Sequence, residues 1–145
     1  MPQSPPRSLS EDDQKLVEHA LEVRKHASAP YSNFPVGAAL LDSTGKVWSG
    51  CNVESSSYGL SCCAERTALF KAISEGVRSF NRIAVVAGGH GLATPCGACR
   101  QVLHDYAPTL DVVLYNPESG ECDCRPLSDF LPFPFDEGNL KGNGE

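Results

Sequence analysis

The stretch at residues 83–115, "IAVVAGGHGLATPCGACRQVLHDYAPTLDVVLY", decides the fold. It opens on a short apolar run, 83–87, of strand length, followed by the loop "GGHGLATP". A helix over 99–106 comes next and stops before Pro108. Residues 111–115 then read as a second buried strand. A strand-helix-strand unit of this kind predicts a right-handed crossover with its two strands parallel.

Working outward, 63–75 predicts a helix, with Ala68, Leu69, Ala72 and Ile73 at helical spacing and Gly76 as its C-cap. Before it, "FPVGAALLDSTGKVWSGCNV" (34–53) reads as a hairpin, with strands at 36–41 and 46–53 around a turn at 42–45. A first helix can start at Ser8 or Ser10, each with an acidic residue three positions on. Leu16, Val17, Ala20, Leu21 and Ala27 mark its apolar side, and Pro30 ends it. After the second buried strand, "NPESGE" turns into a weak strand at 122–125, and "PLSDFL" suggests a last helical turn. The order is α-β-β-α-β-α-β plus one weak strand. It predicts an α/β fold, three-layer α-β-α, with a mixed sheet of about five strands. One domain over 10–136 is expected between flexible tails at 1–9 and 137–145. Ligand sites in such sheets favour the carboxyl ends of strands, where both cysteine-bearing stretches fall.

The chain has 145 residues, 41% apolar and 21% charged, with a net charge of −6. One core of ordinary size fits that length. The acidic balance and the lack of a Lys/Arg cluster argue against a nucleic-acid partner. No apolar run approaches the ~20 residues of a membrane span. The start, "MPQSPPRSLSEDD", has neither the basic head nor the apolar stretch of a signal peptide. The cysteines number seven, an odd count that does not suit a complete set of disulfides. A cytoplasmic protein with a small-molecule partner, and no nucleic acid or membrane, is expected.

Cys96 and Cys99 form C-x-x-C, which alone fits a redox pair, half a zinc site or simple packing. A thioredoxin-like pair belongs after an early strand and leaves Cys63 and Glu65 unexplained. A zinc site needs a third ligand, which Cys62 or Cys63 can supply. Three protein ligands leave one tetrahedral position open, the mark of a catalytic ion, and Glu65 could then take a proton from water. Otherwise Glu65 complements the helix dipole. Regular helix geometry favours Cys62, three residues before Glu65, so Cys63 can serve only from the cap. A closed four-thiolate site that includes Cys62 is the non-catalytic alternative.

"CAE" at 63–65 with "PCGAC" at 95–99 resembles the signature of the zinc-dependent nucleoside and nucleobase deaminases. With "YSNFPVGAAL", "GCNVE", "CAERTALFKAISEG", "TPCGACRQV" and "LPFPF" in order over 16–135, the chain more narrowly resembles small homotetrameric cytidine deaminases. The resemblance implies hydrolytic deamination of cytidine and deoxycytidine, or of another small cytosine-containing compound. It implies Zn2+ on Cys63, Cys96 and Cys99, with Glu65 shuttling protons. Phe34 would pack on the pyrimidine and the Ala64 N–H would hold the base. Asn52 and Glu54 would bond the ribose hydroxyls, in a substrate loop that includes Ser56 and ends at Tyr58. Phe135 would reach into a neighbouring subunit's site. Arg66 can donate charge-assisted hydrogen bonds to a thiolate, or be a solvated helix residue. Cys62 is then expected to be a small buried hydrophobe and Cys51 part of the core. Cys122 and Cys124 lack partners for a second tetrahedral site, and the four histidines have no ligand spacing.

Overall fold

The computed structural model describes residues 9–141. The elements, in chain order, are α1 (Glu11–Arg24), β1 (Val36–Asp42), β2 (Val47–Cys51), α2 (Ala64–Ser74), β3 (Phe80–Ala87), α3 (Gly97–Tyr106), β4 (Asp111–Tyr115), β5 (Cys122–Pro126) and α4 (Glu137–Lys141). Single 3-10 turns cover Tyr58–Leu60 and Leu127–Asp129. The mixed five-stranded sheet has the order β2-β1-β3-β4-β5. β3 and β4 are parallel and the other neighbours antiparallel, as the 83–115 stretch requires.

Alternation along the strands builds the three layers. Ala38, Leu40, Ile83, Val85, Val112 and Leu114 face α2 and α3. Their sequence neighbours Ala39, Ala84, Val86 and Val113 face Leu16, Val17 and Ala20 of α1. A strand covered on both sides reads as a continuous apolar run, which is why 83–87 and 111–115 stood out. Gly50 on β2 lets α2 approach closely, because a Cβ there would lie 2.4 Å from the backbone nitrogen of Ala68.

Ser10 caps α1, accepting from the Asp13 N–H at 3.1 Å. The Asp13 carboxylate is taken up by Arg82, which also reaches Asp111 at 3.3 Å. Ser8, the other candidate cap, lies outside the described residues, as do most of the expected N-terminal tail (1–8) and positions 142–145. Where a C-terminal tail was expected from 137, the chain forms the short helix α4. β3 starts three residues earlier than the apolar run, at Phe80. Its polar Asn81 and Arg82 conceal the start, which pairs with Asp42 across an irregularity in β1. At the hairpin turn, buried Asp42 accepts from Thr44, from the Lys46 N–H and from the Trp48 indole. These bonds hold its carboxyl well below the usual range.

β2, β3 and β4 run in one direction, so their carboxyl ends share one edge of the sheet. The segments leading into α2 and α3 both leave from that edge.

Candidate active site

Cys63 and Cys96 occupy equivalent places, each the extended N-cap residue of its helix. Neither side chain caps its own helix, so both sulfurs are left for other work. Cys99 sits one turn into α3, fully buried. The three sulfurs lie within 4.8 Å of one another. Cys63 Sγ is 3.6 Å from Cys96 Sγ, which is 3.5 Å from Cys99 Sγ. A tetrahedral zinc with bonds of about 2.3 Å separates its sulfur ligands by roughly 3.8 Å. The cluster therefore fits Zn2+, and the cap position resolves the choice between adjacent cysteines in favour of Cys63.

Cys62 is not in the cluster. Half-buried, it receives the Thr67 hydroxyl at 3.7 Å. The cluster among the described residues thus has three thiols and no fourth, as an open catalytic site needs. Cys51, expected in the core, is only half-buried.

The local electrostatics suit an anionic cluster. A hydrogen bond from Cys99, assisted by Arg66, pulls the Cys63 thiol down to about 5 against the effect of burial. Cys99, the donor to Cys63, is pushed up in turn. Arg66 is not a solvated residue: its guanidinium donates to Cys63 Sγ at 3.5 Å. Its Nε is a buried nitrogen without a partner among the described residues. The starts of α2 and α3 add their own positive potential.

Glu65 is 4% exposed, in the first turn of α2. Burial raises its carboxyl to about 7, and the Cys63 thiolate adds to the rise. A group that titrates there can both take and give a proton near neutral pH.

A cavity of about 430 Å³ opens beside the cluster, within the usual range for small-molecule sites. Phe34, Asn52, Glu54, Ala64, Glu65 and Cys96 all line it. Ala64 heads α2, so its N–H lies among those that have no carbonyl partner within the helix. Asn52 and Glu54 have a task that the sequence did not announce. Asn52 accepts from the Val36 N–H and donates to the Phe34 carbonyl, both at 2.9 Å. Glu54 accepts from the Tyr31 and Ser32 N–H groups, each at 3.0 Å, and from the Ser32 hydroxyl. Together they pin the segment that presents Phe34, in which Asn33 adopts a left-handed φ of 53°. Ser32 itself lines the cavity. Within "YSNFPVGAAL" nothing in its spacing marks it as a site residue.

The remaining candidates lie farther out. Tyr58 stands in an adjoining depression, edge-on to Tyr31 with ring centroids 6.0 Å apart. Ser56, expected in the substrate loop, is exposed and lines neither space. Phe135 is outside the cavity of its own chain. It is half-exposed, and Gln101 bonds its backbone N–H at 3.2 Å and also its carbonyl.

A three-thiolate cluster beside a buried carboxylate and an open cavity defines the class of hydrolytic zinc enzymes that activate water. Residues 10–115 match the family described as the cytidine and deoxycytidylate deaminase zinc-binding region. A cytidine deaminase of Sporosarcina psychrophila is 44% identical over 129 residues, covering 89% of this chain and 95% of that protein. One of Halalkalibacterium halodurans is 48% identical, covering 86% and 94%. The crystal structure of a cytidine deaminase from Burkholderia pseudomallei superposes with a TM-score of 0.82 at 51% identity, covering 88% of this chain and 100% of that one. The chain belongs to the cytidine and deoxycytidylate deaminase family of zinc-dependent hydrolytic deaminases.

Proposed function

We propose that this chain hydrolyses cytidine and deoxycytidine to uridine and deoxyuridine, releasing ammonia, in cytoplasmic pyrimidine salvage. One observation carries the reading: buried Glu65 forms part of a wall shared by the thiolate cluster and a cavity of nucleoside scale. All seven cysteines are free, which favours a reducing compartment. Among the described residues no helix is long and apolar enough to cross a membrane.

Cys63, Cys96 and Cys99 would hold Zn2+, which supplies Lewis-acid chemistry that makes water nucleophilic near neutral pH. Phe34 packs on the pyrimidine ring, and the Ala64 N–H holds the base. Glu65 carries the first proton of the water to N3 of the cytosine as the oxygen adds to C4. It carries the second to the amino group, which leaves as ammonia while the C4 carbonyl forms. The Glu54 carboxylate has about four acceptor sites and accepts three hydrogen bonds from Tyr31 and Ser32, which leaves capacity for a ribose hydroxyl. Asn52 and Tyr58 complete the sugar side, and Ser56 stands clear of it.

Among the described residues, no Lys or Arg lines the cavity or the adjoining depression. Hydrogen bonds from Ser32 and Tyr31 keep Glu54 ionised by lowering its pKa. A 5′-phosphate would meet negative charge without a counter-ion. Loss of ultraviolet absorbance should therefore show rapid turnover of cytidine and deoxycytidine, no turnover of adenosine, and a kcat/KM for CMP lower by roughly 100-fold or more. Equal efficiency on CMP, or no turnover of cytidine, would contradict the reading.

The assembly proposed is a homotetramer with shared sites, in which Phe135 covers a neighbour's cavity. Phe133 is 93% exposed and Phe135 55%, an apolar tail of the kind that interfaces cover. Truncation before Phe133 should weaken both assembly and cytidine binding and leave zinc in place. Sedimentation at assay concentration checks this, and a fully active monomeric full-length chain would rule it out.

A further inference from the structure

Asn116 follows β4 and is completely buried, yet it lies outside the cavity lining. Its Nδ2 donates to the Gly89 carbonyl at 3.0 Å and the Gly91 carbonyl at 2.7 Å. Its Oδ1 accepts from the Glu118 and Ser119 N–H groups at 2.9 and 3.3 Å. Carbonyls on one side and N–H groups on the other leave the amide a single orientation. Glu118, at the surface, adds a second strap by accepting from the Gly89 N–H at 3.0 Å. Gly89 is thus gripped at both its N–H and its C=O by one turn.

Gly89 also meets the substrate side. It has a φ of +84°, and a Cβ there would lie 3.2 Å from Cε1 of Phe34. The same loop continues to Ala93 and Thr94, which line the cavity, and to Cys96. Its far end has a separate anchor: Arg100 of α3 donates to the Pro95 carbonyl at 2.7 Å and to the Thr94 hydroxyl at 2.9 Å. The metal end and the Phe34 end of the loop are therefore held independently.

We propose that Asn116 and Glu118 are positioning residues, a clasp that sets the 88–95 loop against Phe34 and so fixes the substrate-facing wall without touching the metal. The substrate assay rests on the cytidine reading above. The test uses zinc-loaded, full-length Glu118→Ala and Asn116→Asp. The aspartate keeps both acceptor contacts and loses both donors. KM for cytidine should rise about threefold in the first variant and about tenfold in the second. kcat should change less than about twofold, and zinc content should not change. Amide hydrogen exchange across 88–94 should accelerate in both. Raised KM together with faster exchange supports the clasp, and any other combination overturns it, including faster exchange with unchanged KM. If Asn116→Asp does not fold, Glu118→Ala decides, since its side chain is exposed. Absence of wild-type turnover would sink the cytidine reading instead. The clasp is then judged on exchange alone, and unchanged exchange overturns it.

Discussion

Cys99→Ala is expected to strip the protein of zinc, from about one ion per chain to nearly none, and to lower its thermal midpoint sharply. Cys99 is fully buried and its sulfur completes the cluster with Cys63 and Cys96. Metal bound only by the folded chain contributes to stability by mass action, about 4 kcal/mol when free zinc is ~1,000 times Kd. For a domain of this size that amounts to roughly 10–15 °C in the midpoint. Cys96→Ala and Cys63→Ala should behave alike. Cys62→Ala should keep its zinc, because Cys62 bonds Thr67 and stands outside the cluster. Metal analysis beside calorimetry checks the series. Full occupancy in Cys63→Ala with loss in Cys62→Ala would overturn the choice of ligand.

Glu65→Gln should retain zinc, fold and thermal midpoint while kcat falls about 10²–10⁴-fold, the usual range for losing a positioned acid/base. Glutamine matches the shape of the side chain and cannot relay a proton. The site keeps Glu65 buried and close to neutral titration, an arrangement that would be wasted on a structural carboxylate. Single-turnover kinetics on cytidine, normalised to zinc, give the value. Turnover within a few-fold of wild type would move the proton carrier elsewhere.

Local sequence signals carried most of the architecture. The buried run 111–115 became β4 with the same limits, and 83–87 became the apolar half of β3. The start of α2 at Cys63 was legible, whereas α3, expected from residue 99, begins at Gly97 on the N-cap Cys96. Which of two adjacent cysteines belongs to the cluster was a different matter. It depends on a cap conformation, and regular helix spacing pointed to the wrong residue. The supports of the site were hidden for a general reason. Asn52 and Glu54 hold the segment around Ser32 and Phe34, about twenty residues before them, and Asn116 holds a loop more than twenty residues before it. Such bonds join side chains to backbone across the fold, and neither composition nor periodicity records them. Ser56 shows the converse, a polar residue in the right stretch that stands clear of the cavity.

X-ray absorption at the zinc edge of the loaded protein tests the central claim most directly. An open catalytic centre on Cys63, Cys96 and Cys99 predicts three sulfur neighbours at about 2.3 Å and one lighter atom at about 2.0 Å. Four sulfur neighbours would contradict it, making the ion a closed structural site and leaving Glu65 without a reaction to serve.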